Sequence, residues 1–164
     1  MDDVMLVGSD YTLVYNVLSF GTAVMFGAFV YFLTQMKSVS KQYQAGIAVS
    51  AIVVGIAGYH YYRIWSDFGE GVMNEGYRYA DWLITVPLLI VELLIVLGVA
   101  QKDRTSLMLK LVPASILMIG LGYPGEVADG NGAKWTFWIL ALIPFAYILK
   151  TLYDELQKAG QRET

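Results

Sequence analysis

Five long apolar segments, separated by short polar joints, divide this sequence of 164 residues. They lie at about 11–36, 44–65, 77–100, 106–123 and 135–153. Each is close to the ~20 mostly apolar residues that a helix needs to cross a bilayer. Joints this short make consecutive helices run antiparallel. The pattern therefore predicts an all-α membrane protein, in which residues 1–164 form a single up-and-down bundle of five transmembrane helices.

The first segment is predicted to be a retained span rather than a cleaved signal. From Tyr11 to Met36 the chain has no Asp, Glu, Lys, Arg or His. The residues before it include Asp2, Asp3 and Asp10 but no basic residue. A secretory signal begins with a positively charged region. The acidic start therefore favours a helix that remains in the membrane.

The distribution of basic residues predicts the orientation of the bundle. The joints after the first and third segments and the C-terminal tail carry most of the basic residues, namely Lys37, Lys41, Lys102, Arg104, Lys158 and Arg162. The opposite side is rich in acidic residues: Asp67, Glu70, Glu75, Glu126 and Asp129. Basic loops stay in the cytoplasm. We therefore expect the N-terminus outside the cell and the C-terminus in the cytoplasm.

Composition excludes several classes of site. The chain has no cysteine, which rules out disulfides and thiolate chemistry, and its single histidine rules out a metal site built from several histidines. No basic patch with interleaved aromatic residues suggests nucleic-acid binding. No nucleophile–base pair or phosphate-binding loop is apparent, so we do not expect a conventional enzyme.

The third segment carries a row of ionisable groups. Arg78, Asp81 and Glu92 lie within an otherwise apolar span, at a cost of about 2.5–3.5 kcal/mol each on insertion scales. At about 100° per residue, Asp81 and Thr85 are about 40° apart, and Asp81 and Glu92 return to within about 20° of one face. The two carboxyl groups are then separated by roughly 16 Å along the axis. The spacing predicts one polar face, turned toward the bundle interior.

Two carboxyl groups in different surroundings suggest a proton relay. Glu92 lies among Leu, Ile and Val, so desolvation favours its neutral form and a role as proton donor. Asp81 lies one turn from Arg78, which favours an ionised carboxylate that accepts a proton. The alternative is a set of polar contacts between helices with no part in transport.

The single histidine, His60, lies in the second segment about as far from its end as Asp81 lies from the start of the third. Because these two segments are antiparallel neighbours, the two side chains could meet at similar depth. A lone buried histidine is more often structural. Next to Asp81, however, it would let the proton affinity of that acid change near neutral pH.

The stretch from Tyr77 to Glu92, YRYADWLITVPLLIVE, resembles the third helix of the microbial rhodopsins. Residues 49–61, 117–126 and 143–149 resemble the xanthorhodopsin branch of that family, near proteorhodopsin. The resemblance extends from about Leu13 to Leu156. It implies that the five segments are the first five helices of a seven-helix fold. It also implies that the cofactor is retinal, that light is the energy source and that the protein is located in a bacterial cell membrane.

The resemblance also implies roles for the polar residues. Asp81, Thr85 and Glu92 match the Asp-Thr-Glu triplet of outward proton pumps. Asp81 would be the counter-ion and proton acceptor, supported by Thr85, and Glu92 would be the donor. Arg78 would organise the exit side, and His60 matches the histidine that pairs with the acceptor in this branch.

The same resemblance implies a set of retinal contacts: Trp82, Leu89, Met118, Gly122 and Trp138. Without the resemblance, these residues would be read as core packing. Leu89 stands where Leu accompanies green absorption, so we expect green rather than blue. Trp138 stands where carotenoid-binding relatives have Gly, so we expect no carotenoid antenna.

The lysine that holds retinal lies on the family's last helix, which these five segments do not include. Lys110 and Lys150 are expected near the cytoplasmic ends of their helices, far from Asp81. The chain alone is therefore not expected to bind retinal covalently or to pump. The last two helices could belong to another chain or to a longer form of this one, or the protein could be a shortened relative. The third case is disfavoured, because an opened bundle would leave Asp81, Glu92 and Arg78 facing lipid.

Other functions remain open. A light sensor that signals through a partner is one, although a fast donor at Glu92 argues against it. A membrane scaffold without photochemistry is another. In each case we expect contacts with membrane lipid and a homo-oligomer.

Overall fold

The computed structural model describes residues 9–162. Asp2, Asp3 and the side chain of Arg162, which entered the arguments above, lie outside what it describes. The described chain forms five helices: α1 Ser9–Gln35, α2 Lys41–Gly69, α3 Glu75–Val96, α4 Gln101–Val127 and α5 Asn131–Arg162. All five are long and apolar enough to cross a membrane. The predicted all-α class of a multi-pass membrane protein is confirmed.

The helices pack in chain order, each against the next. Within residues 9–162, α1 and α5 make no contact, so the bundle is an open arc. The middle helices α2 and α3 hold most of the buried residues, whereas Thr22 is the one buried residue of α1. Polar groups on α3 therefore have neighbours that can cover them.

We call the two ends of the bundle the Glu75 end, where α3 begins, and the Val96 end, where α3 finishes.

The third helix ends at Val96, before the predicted boundary near residue 100. Gly98 adopts a φ of +64°, which a residue without Cβ reaches at no steric cost. The N–H of Gly98 donates to the carbonyl of Ile95, and the N–H of Val99 donates to the carbonyl of Leu94. This pair of bonds is the Schellman motif, which satisfies carbonyls at a helix end. The glycine terminates the helix and folds Val99 back over Leu94.

Three other helices are longer than predicted, and the largest extension is that of α5, which runs from Asn131 to Arg162 instead of about 135–153. The second continues to Gly69 instead of about residue 65, and it ends in an equivalent motif at Gly71, whose φ is +81°. The fourth runs from Gln101 to Val127 instead of about 106–123. Its polar first turn was interpreted as a joint. A helix whose surface turns are polar still satisfies its backbone hydrogen bonds best by remaining helical.

A compact apolar cluster closes the Val96 end. It consists of Ile90, Leu94, Val99, Leu111 and Ile148, contributed by α3, the following turn, α4 and α5. Leu94 and Leu111 are fully enclosed. The cluster packs three helices together around one half of α3, whereas the half near Glu75 borders open cavities.

Candidate functional site

Two polar residues of α3, Asp81 and Thr85, are buried in the bundle interior, as the spacing predicts. Asp81 is 5% exposed and Thr85 is 3% exposed. The hydroxyl of Thr85 donates to the backbone carbonyl of Asp81 at 2.9 Å and lies 3.4 Å from its Oδ2. The expectation that five helices would leave Asp81 facing lipid is wrong, because α2 already covers it.

His60 of α2 meets Asp81 of α3 about two turns in from the Glu75 end of α3. Its Nδ1 lies 3.4 Å from Asp81 Oδ1 and 3.0 Å from the carbonyl oxygen of Ile56. Because a carbonyl oxygen only accepts hydrogen bonds, the second contact assigns a proton to Nδ1. Within residues 9–162, His60 is the basic group within 4.0 Å of Asp81.

Arg78 points elsewhere than the sequence suggested. Its guanidinium pairs with Glu75 on its own helix and lies 3.2 Å from Glu126 at the end of α4. It also stands over the ring of Trp82, 5.5 Å from the centroid. The charge that was expected to keep Asp81 ionised is thus directed at two glutamates. A long side chain can extend toward the membrane surface, a choice that residue spacing does not reveal.

A small cavity lies beside Asp81. It has a volume of about 170 Å³, and its polar lining consists of His60, Asn74, Glu75, Arg78 and Asp81. Since a water occupies about 30 Å³ and needs polar partners, the cavity suits a few ordered waters. It extends from the buried Asp81 to the first turn of α3, and thus links this carboxyl group to the Glu75 end.

Glu92 is half-buried and bonded to Ser50 of α2. Ser50 Oγ also lies 3.2 Å from the carbonyl oxygen of Gly46. Ser50 Oγ donates to Glu92 Oε1, so this hydroxyl holds the carboxyl group of Glu92 against α2.

Sequence reasoning missed Ser50, although a signal was available. Ser50 and His60 are ten residues apart on α2, and Asp81 and Glu92 are eleven apart on α3. Antiparallel helices with matched spacings bring both pairs together. Because Ser50 lies about as far from His60 as Glu92 lies from Asp81, Ser50 was a candidate partner for Glu92.

The five predicted retinal contacts separate into two groups. Gly122 and Trp138 line a cavity of about 610 Å³ together with Tyr79, and the ring of Trp82 packs against Tyr79 with centroids 5.3 Å apart. A Cβ on Gly122 would lie 3.3 Å from the Tyr79 ring, so the glycine keeps this space open.

The other two residues lie apart from that cavity. Met118 packs against the apolar cluster, and Leu89 is 47% exposed. Tyr79, which joins the first group, was not singled out from the sequence.

The two lysines considered for a covalent link lie in the halves of α4 and α5 toward the Val96 end, and both are exposed. Neither Lys110 nor Lys150 contributes an ion pair to Asp81 among the described residues. Lys134 lines the larger cavity near the start of α5.

Comparisons with known proteins agree on one family. A family model described as bacteriorhodopsin-like protein matches residues 12–164. The green-light absorbing proteorhodopsin of Gamma-proteobacterium EBAC31A08 is 35% identical over 151 residues, covering 90% of this chain and 58% of that protein. Archaerhodopsin-2 of Halobacterium sp. (strain aus-2) is 29% identical, covering 90% of this chain and 59% of that protein.

Solved structures give the same result. Thermophilic rhodopsin is 41% identical with a TM-score of 0.90, and the match covers 97% of this chain and 68% of that one. Xanthorhodopsin, described as a light-driven ion pump with dual chromophore, is 40% identical with a TM-score of 0.91, covering 97% and 69%. This chain spans about 58% of the length of its curated proteorhodopsin relative. A family match over nearly the whole chain, with the same fold, shows that this chain belongs to the bacteriorhodopsin-like family, the microbial rhodopsins.

Proposed function

We propose that this chain is the acceptor- and donor-bearing part of a light-driven outward proton pump. The observation that carries the proposal is the α2–α3 contact surface. There Asp81 meets His60 beside a polar cavity, and Glu92 meets Ser50 in the more apolar half. The two acids thus have different surroundings on one face of one helix. Such a difference is how paired carboxyl groups acquire opposite roles.

Asp81 is the acceptor in this proposal. Thr85 holds its backbone and side chain, and His60 provides a basic group 3.4 Å from Oδ1. A proton received by Asp81 can pass to the polar cavity at the Glu75 end. Arg78, paired with Glu75 and Glu126, places charged groups along that exit.

Glu92 is the donor. Ser50 Oγ donates to its Oε1 and holds the carboxyl group against α2. At the same level of α3, the opposite face packs against α4 and α5 in the apolar cluster with Leu94 at its centre, which limits the access of water to this half of the bundle. The proton therefore moves from the Val96 end toward the Glu75 end, which is outward in the proposed orientation with the N-terminus outside.

The structure offers a suitable surface for retinal. The larger cavity is within the usual size of ligand sites, and it has aromatic walls at Tyr79, Trp135 and Trp138 and a gap at Gly122. Trp82 packs against the same Tyr79. These residues would hold part of the apolar cofactor. When bound, retinal supplies the absorption of visible light and a light-driven change of shape.

The remaining parts are also proposals. Two further helices, one carrying the attachment lysine, would come from another polypeptide or from a longer form of this one. They would close the open side between α1 and α5. We further propose a bacterial cell membrane, homo-oligomers, green absorption through Leu89 and, through Trp138, no carotenoid antenna.

The test is reconstitution. This chain is co-expressed with a two-helix segment that bears the lysine, retinal is added, and the visible spectrum is recorded. Illuminated cells are then assayed for external acidification. We expect colour and acidification, with acidification abolished by Asp81→Asn and kept by Asp129→Asn, which changes an exposed loop acid.

The two readouts separate the possible functions. A colourless product would contradict the proposal and favour a scaffold. Colour without acidification, or acidification that survives Asp81→Asn, would contradict the pump assignment.

A further inference from the structure

A second polar contact joins α2 to α3, one turn beyond the acceptor. Arg63 Nη2 donates to the hydroxyl of Tyr77 at 2.7 Å, and the guanidinium carbon lies 5.1 Å from the centroid of the same ring. Asp67, one helical turn along α2, lies 3.9 Å from Arg63. Tyr77 is therefore held both at its hydroxyl and across its face. The roles proposed for Asp81 and Glu92 make no use of this pair.

Tyr77 lies next to the histidine that contacts the acceptor. The rings of His60 and Tyr77 have centroids 6.4 Å apart and are tilted by 46°. On another side, Tyr59 meets His60 edge-on at 5.3 Å. Tyr59 is exposed, whereas Tyr77 is half-buried and anchored by Arg63. Of the two neighbouring rings, Tyr77 is thus the fixed one.

The contacts of the His60 imidazole define one orientation of its ring. Its Nδ1 faces both the carbonyl oxygen of Ile56 and Asp81 Oδ1. A rotated ring, or the other tautomer, would lose the donated hydrogen bond and change the contact with the acid. Since an aromatic side chain has few torsions, one rigid neighbouring ring is enough to restrict it.

We propose that Tyr77, held by Arg63, is a positioning residue that keeps Nδ1 of His60 turned toward Asp81. This inference rests on the proposed function in one respect: the orientation of His60 matters for transport only if Asp81 is the proton acceptor. The contacts themselves involve this chain alone. The titratable groups around His60 are Tyr59, Tyr61 and Arg63 on α2 and Glu75, Tyr77, Arg78 and Asp81 on α3.

The test uses the single histidine. The 164-residue chain is labelled with ¹⁵N-histidine and placed in lipid nanodiscs, without retinal and in the dark. The ¹⁵N shifts of the one imidazole report the ratio of the Nδ1–H to the Nε2–H tautomer. We expect Nδ1–H to dominate in the parent chain. In Tyr77→Phe and in Arg63→Met this ratio should fall by about threefold or more, as expected when a hydrogen bond that orients the ring is lost.

Two further variants make the result specific. Arg63→Lys retains a charged donor for the Tyr77 hydroxyl and should restore part of the ratio. Tyr62→Phe removes a hydroxyl from the same turn of α2, where Tyr62 packs against Trp65, and should leave the ratio unchanged. Circular dichroism checks that each variant keeps the parent's helix content.

An unchanged ratio in both Tyr77→Phe and Arg63→Met would overturn the proposal, as would an equal change in Tyr62→Phe. If one variant loses helix content, the other decides, because each alters a different partner of the same bond. Failure of the pump proposal would leave this result intact, since neither light nor retinal enters the measurement.

Discussion

The two halves of α3 contain the same kind of group in opposite surroundings. Toward the Glu75 end, Asp81 borders a polar cavity, and charged pairs join Arg78 to Glu75 and Glu126. Toward the Val96 end, Glu92 has a hydroxyl partner on α2, and the opposite face of α3 packs into the apolar cluster. Both acids contact α2, Asp81 through His60 and Glu92 through Ser50. The difference comes from the other neighbours of α3, since α4 and α5 close one end and leave cavities at the other.

In the proposed pump, that contrast would give protons one direction of travel along α3. An acceptor needs water or polar groups nearby so that its proton can leave. A donor needs a dry environment, where the neutral acid is favoured until its proton is required. The polar residues of α3 supply the chemistry, and the packing around each end assigns the roles.

The largest effect is expected from opening the apolar end. Leu94→Ala removes the side chain at the centre of the cluster, which is 0% exposed. Because lipid is as apolar as leucine, the loss is one of packing. We expect about 2–3 kcal/mol of destabilisation, near the lower part of the range for buried Leu→Ala changes. Titration of helix content with SDS measures it.

The matched control is Leu109→Ala, at a site that is 74% exposed. It should change the stability by less than about 0.5 kcal/mol. Equal effects at the two sites would show that the cluster is not a packed core.

The next largest effect concerns the donor itself. Glu92→Gln keeps the size of the side chain but removes the transferable proton. In the reconstituted protein we expect proton uptake after a flash to slow about 100-fold, the lower end of general acid–base contributions. A pH-indicator dye measures the rate. Glu70→Gln, at the exposed end of α2, should leave it unchanged. Unaltered uptake in Glu92→Gln would assign the donor role to another group.

A smaller effect is expected from the partner of the donor. Ser50→Ala removes the hydroxyl that links Glu92 to the carbonyl of Gly46. One hydrogen bond contributes about 0.5–1.5 kcal/mol net, so uptake should change by about three- to tenfold. Ser50→Thr keeps the hydroxyl and should behave like the parent. If the threonine variant is as defective as the alanine one, bulk at this position rather than the hydrogen bond is responsible.

The smallest effect concerns the turn that ends α3. Gly98→Ala places a Cβ at a φ of +64°, where side chains are disfavoured, so we expect a loss of about 1 kcal/mol of stability. Gly27→Ala is the control, since a Cβ there meets nothing within 4 Å inside α1. That substitution should be neutral or stabilise by up to about 1 kcal/mol. A stabilising Gly98→Ala would contradict the role of the turn.

The sequence predicted the elements better than their ends. Five apolar runs were enough for five helices, because length and hydropathy decide whether a segment crosses a bilayer. The end of α3 was placed too late, because the signal there is a single glycine, Gly98, inside a run that remains apolar. The start of α4 was placed too late as well, since polar residues at the membrane surface were interpreted as a joint.

For the side chains too, burial could be predicted from the local sequence, whereas contacts with distant residues could not. That Asp81 and Thr85 share a buried face follows from helical periodicity, which depends only on neighbours along the chain. That Arg78 reaches Glu126, 48 residues away, could not be read from spacing, because a long side chain chooses among many rotamers. The same holds for Ser50 and Glu92, which are 42 residues apart.

By itself, the sequence determined that the chain forms apolar helices and that α3 carries its costly polar groups on one face. Both follow from periodicity and from the free energy of placing charge in hydrocarbon. The tertiary structure alone decided which acid borders a cavity and which bonds to Ser50, where Arg78 directs its charge, and how His60 is oriented. These depend on residues from different helices meeting at one depth, and no local pattern specifies such meetings.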